Sequence, residues 1–145
     1  MSGTGGTGTV LAAAQAALAA EHAAVYGYGV VGGQVAASRE AQARQAYDAH
    51  RAGRDALSRT VTGLGGRPVA AAAGYELPFV VADAADAVRL AAYLENRVAG
   101  AYGDLVRAAS GGTRRDAAAG MRAAAVRAVR WSGGSVAFPG LAERL

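Results

Sequence analysis

Glu21, His50 and Glu95 are the side chains best placed to bind a metal or trade a proton, because each stands in an otherwise apolar pattern. Glu21 is the only charged residue between Val10 and Val31, where Gln15, His22, Tyr26 and Tyr28 are the other polar ones. At about 100° per residue, His50 shares a helical stripe with Tyr47, Arg54, Leu57 and Val61. Glu95 shares one with Val88, Ala91, Val98, Tyr102 and Leu105. Two carboxylates and an imidazole brought to one level from three helices can ligate a cation, and the donor set suits iron, manganese or zinc. The same three side chains can instead build an ion-pair layer. A buried carboxylate without a partner costs several kcal/mol or takes up a proton, so two of them need positive neighbours. Arg54 lies one turn, ~5.4 Å, from His50. Arg127 sits at the edge of a seam formed by Ala117, Met121, Ala124, Ala128 and Trp131.

The sequence thus supports three readings of one place. The bland one is a structural polar layer of Glu21, His50, Arg54, Glu95 and Arg127 that fixes helix register in an alanine-rich core. The second is a mononuclear metal site at Glu21, His50 and Glu95. The third is a small-molecule pocket whose ligand pairs an anion with Arg54. His22 lies about 100° from Glu21, so only one of the two can be central; a structural hydrogen bond or an interface contact suits His22 better. Tyr102 reads as seam packing with a satisfied hydroxyl, and Asp48 and Asp55 belong to an arginine-rich solvated face.

Four helical segments must position these residues. Thr9 can cap a helix running to about Val31, and Ser38 one running to about Thr62. Asp83 with Asp86, and Thr113 with Asp116, resemble capping boxes that open helices to about Ala109 and Trp131. The breakers between them are "GGQVAA", "GLGGRPVAAAAGYELPFVVA" and "SGG". Short links force antiparallel neighbours, while a link of about twenty residues can travel the length of a bundle. The order short, long, short predicts an all-α four-helix bundle of two antiparallel helical hairpins joined by one long crossover, the ferritin-like arrangement. Residues 1–8 are expected as a flexible Gly/Thr tail, and residues 9–145 as the bundle domain with a C-terminal tail from about 133.

Composition narrows the chemistry. The chain of 145 residues has no cysteine, which excludes disulfides, thiolate metal sites and a thiol nucleophile. A cytoplasmic protein is expected, with no signal peptide and no membrane span, since the N-terminal apolar stretch is mostly alanine and contains Glu21 and His22. The net charge is +4 and all the basic residues are arginine. Arg115, Arg122 and Arg130 share a sector of the fourth helix, yet no DNA- or RNA-binding motif accompanies them, so a solvated face is expected rather than a nucleic-acid surface. No P-loop, dinucleotide fingerprint or nucleophile elbow is present, and "GTGGTG" lacks a flanking strand. The first helix is apolar nearly all round and so must be covered nearly all round, by the crossover or by a second subunit. A homodimer in contact through helix 1 is expected.

The ordered elements "LAAEHAAVYGYGVVG", "YDAHRAGRDAL", "LAAYLENRVAGAYGDLV", "AAVRAVRW" and "AFPG" resemble a small ferritin-like domain family of uncharacterised function, typical of actinobacteria. The resemblance spans roughly residues 10–140. It implies a ferritin-like helical fold and no established activity. In the wider superfamily two irons are held by one Glu from each of two helices and a Glu-x-x-His motif from each of the others. Glu21 and Glu95 match the single glutamates and His50 matches a histidine; Tyr47 stands where Glu would precede it, and the fourth helix has neither Glu nor His. A degenerate di-iron site is therefore expected, in a protein acting in binding or assembly and without a cofactor. The alternative is a metal-dependent oxidoreductase or iron-handling protein with a reduced metal site.

Overall fold

A computed structural model describes residues 3–133 of the chain. Within them the protein is all-helical, with four long helices and no strand: α1 Gly3–Gln34, α2 Glu40–Gly63, α3 Ala84–Ala108 and α4 Gly111–Ser132. The tail beyond residue 133, with "AFPG", lies outside the described residues.

Local chemistry explains most boundaries. Asp83 caps α3, its Oδ1 accepting the Asp86 N–H at 2.8 Å, while Asp86 Oδ2 accepts the Ala82 N–H at 3.1 Å. Two orphan donors are thereby satisfied reciprocally. Gly65 (φ 85°) ends α2, and Gly133 (φ 76°) ends α4, both in the left-handed region that suits glycine. Three starts differ from the sequence reading. Helical hydrogen bonding in α1 continues back to Gly3 through the stretch expected as a tail, since a helix nucleated by packed residues extends at one bond per residue. Ser38 lies in a 3-10 turn, Ala37–Arg39, and α2 starts at Glu40. Thr113 lies inside α4, whose N-cap is Ser110, because Gly111 (φ 58°) lets the helix begin three residues earlier.

α1 packs on α2 and α3, and α3 on α4, whereas α2 meets α4 at few points. The core divides into two apolar clusters. One joins Ala14 and Leu18 of α1 with Leu57 and Val61 of α2, Leu105 of α3 and Ala117 of α4. The other joins Val31 of α1 with Ala43 of α2, Leu90 of α3 and Trp131 of α4. The late part of α1 therefore lies with the early parts of α2 and α3 and the late part of α4. It follows that α1 and α4 run one way, α2 and α3 the other, and neighbouring helices are antiparallel.

The crossover, residues 64–83, runs beside α1. Gln15 donates from Nε2 to the Arg67 carbonyl (2.6 Å) and accepts the Val69 N–H at Oε1 (2.9 Å). His22 Nε2 donates to the Val69 carbonyl at 2.9 Å, and the Tyr26 and Tyr75 rings meet at 5.6 Å. The sparse polar residues of α1 thus fasten the crossover to one of its flanks. No described helix is long and apolar enough to cross a membrane.

Candidate functional site

Between the two apolar clusters lies a hydrogen-bonded polar group to which all four helices contribute. Glu21 is 2% exposed, and His50 and Glu95 are 0% exposed. His50 lies between the two carboxylates: Nδ1 is 2.5 Å from Glu21 Oε1 and Nε2 is 2.9 Å from Glu95 Oε2. An ionised carboxylate only accepts, so both ring nitrogens must carry protons and the ring is an imidazolium. Burial by itself lowers the pKa of His50, but the hydrogen bonds and charges of Glu21 and Glu95 outweigh it and raise the pKa from 6.5 to about 9.

The remaining oxygens are also engaged. Tyr102 donates to Glu21 Oε2 at 2.7 Å and Tyr28 donates to Glu95 Oε2. Arg127 Nε is 3.1 Å from both Glu95 oxygens, and the Trp131 indole donates to the Tyr28 hydroxyl at 2.9 Å. The Tyr28 ring stacks on His50, centroids 5.3 Å apart. Burial first, then the neighbouring carboxylate, pushes the pKa of both tyrosines up, so they remain donors. Two carboxylates are balanced by an imidazolium and a guanidinium. Among the described residues no buried side-chain nitrogen or oxygen lacks a hydrogen-bond partner.

Close approach makes the site possible. A Cβ at Gly53 would collide with Glu21 Oε2 and lie 3.2 Å from the Tyr102 hydroxyl; one at Gly120 would lie 2.9 Å from the Tyr102 ring. These two glycines, on α2 and α4, give Glu21 and Tyr102 the room to meet.

Of the residues named from sequence, Glu21, His50, Glu95 and Arg127 are brought together and Arg54 is not. Arg54 turns outward, its Nε and Nη2 each 3.0 Å from Asp55 Oδ1, because the adjacent carboxylate lies nearer water. His22 fastens the crossover. The structure adds Tyr28, Trp131 and Gly53 to the site. Tyr28 follows Glu21 by seven positions, two helical turns, and Tyr102 follows Glu95 by the same interval; each donates across to the other helix's carboxylate, so a tyrosine on the stripe of a buried carboxylate marks the level of the layer but not its own partner. Nothing in the sequence around Gly53 marks it.

The arrangement is poorly suited to a metal. The imidazole is inserted between the carboxylates, its nitrogens directed at opposite partners, so the donors point at one another rather than at a common point. Among the described residues no group of three or more His, Asp or Glu is disposed to hold a metal ion. The ligand set that the ferritin-like resemblance implies does not fit these side chains.

A family profile described as a domain of unknown function, DUF4439, matches residues 13–143. The fold is similar to that of a conserved hypothetical protein from Mycobacterium tuberculosis, known from its crystal structure, with a TM-score of 0.85 and 37% identity. That likeness covers 87% of this chain and 96% of the other. No curated protein matches the chain.

Proposed function

The chain belongs to the DUF4439 family, and we propose that it is a ferritin-like bundle whose di-iron centre has been replaced by two organic cations, acting in binding or assembly rather than as an enzyme. The antiparallel neighbours and single long crossover support the ferritin-like reading. Glu21, His50 and Glu95 stand on the first three helices, where that superfamily keeps ligands, and Arg127 supplies a cation from the fourth. The observation that carries the proposal is the imidazole held between both carboxylates. Metal binding there requires a neutral imidazole, and a pKa of about 9 imposes roughly a hundredfold proton competition at neutral pH. The metal must also displace Arg127.

The experiment is elemental analysis after anaerobic incubation with Fe(II), Mn(II) or Zn(II) and desalting. The expected result is no stoichiometric metal, and a Glu21→Gln variant that loses stability. Stoichiometric metal that disappears in a Glu21→Gln variant which still folds would replace this reading with the metal-dependent one. Assembly as a homodimer with α1 contributing to the contact belongs to the same proposal, and a monomer at micromolar concentration by light scattering would remove it.

A further inference from the structure

Away from the buried polar group, α1, α3 and the end of the crossover enclose an open groove of about 690 Å³. Its floor is made of alanines, among them Ala16, Ala19 and Ala101, and its walls include Tyr75, Leu77 and Leu94. The volume lies in the range of small-ligand sites. The crossover leaves this space open because it is held at both sides of it. Gln15 and His22 fix Arg67 and Val69, and Phe79 lies under the Arg89 guanidinium at 4.2 Å.

Two charges on the lining lack ionic partners. Arg97 on α3 donates to the Tyr93 hydroxyl at 3.1 Å and makes no ion pair, and Glu76 on the crossover makes no ion pair or hydrogen bond. They belong to different elements, α3 and the crossover, and do not pair with each other. An occupant complementary to this lining has an apolar body for the alanine floor, an anionic end for Arg97 and a cationic end for Glu76. We propose that the groove binds a small zwitterion of this kind, a short peptide with apolar side chains and free termini. The carboxylate accepts from Arg97, the ammonium donates to Glu76, and the side chains lie on the alanines. The site is separate from the buried layer, so it stands or falls independently of the metal question.

The test uses the whole chain and leucyl-leucine as probe, followed by calorimetry and by amide shifts of groove residues. The expected results are saturable binding and a loss of about fivefold on capping either end by acetylation or amidation. Arg97→Gln costs the free dipeptide the same factor but leaves the amidated one unchanged, and Glu76→Gln does so for the acetylated one. Ala19→Phe, at an exposed position on the floor, abolishes binding with Tm unchanged. The proposal is overturned by the absence of saturable binding up to the solubility of the peptide, or by binding indifferent to both caps. It is equally overturned if light scattering shows a dimer that Ala19→Phe dissociates, since a second copy then occupies the groove.

Discussion

Replacing His50 by Gln removes the cation that Glu21 and Glu95 share and tests the linkage between protonation and folding directly. Raising a histidine from 6.5 in the unfolded chain to about 9 in the folded one corresponds to about 3 kcal/mol of stability. Because the folded value is the higher, that contribution is complete below pH 6.5 and disappears as pH rises through about 9. The wild-type protein should therefore lose about 3 kcal/mol between pH 6 and pH 9, equivalent to about 10 °C in Tm for a domain of this size. His50→Gln should be less stable at pH 6 by about 3–5 kcal/mol, since two buried carboxylates lose their common partner. It should also lack the decline towards pH 9. Urea unfolding across this pH range, followed by helical circular dichroism, measures both quantities. The reasoning is refuted if the variant retains the wild-type slope, or if the wild type is equally stable at the two pH values.

Gly53→Ala should destabilise by about 2 kcal/mol or more despite the higher helix propensity of alanine, whereas Gly29→Ala, where an added Cβ meets nothing, should stabilise by up to about 1 kcal/mol; paired thermal melts check the contrast. Tyr28→Phe removes the donor to Glu95 and leaves the Trp131 indole without its acceptor, so a loss of about 1–3 kcal/mol is expected in urea unfolding. Arg127→Met should cost about 2 kcal/mol at pH 7, and a cost below 0.5 kcal/mol would show that Glu95 is balanced by His50 alone.

The sequence made the helices legible because long alanine-rich periodic stretches alternate with glycine- and proline-rich breaks. It located α3 well, where Asp83 caps through its own side chain. The starts of α1, α2 and α4 were less legible, since helix extension and a left-handed glycine decide them rather than a capping residue. In the polar layer, His50 and Glu95 could be placed inward because apolar residues flank them on the same stripe. By angle Arg54 lies inside its seam and Arg127 at the edge of its own, yet it is Arg127 that reaches Glu95. Their different fates depend on Asp55, which holds Arg54 outward, and on the loose approach of α2 to α4, which leaves room for Arg127. Periodicity gives angular position but not order within a layer. It could not tell an imidazole lying beside two carboxylates from one lying between them, and that distinction separates a ligand set from an ion-pair chain.

The most direct test of this account is the 15N spectrum of the His50 imidazole at neutral pH and through an alkaline titration. An imidazolium clamped by Glu21 and Glu95 gives two protonated ring nitrogens at pH 7 and a midpoint near 9, undisturbed by added Zn(II). A neutral ring with one bare nitrogen at pH 7, or a resonance that moves when Zn(II) is added, would contradict it.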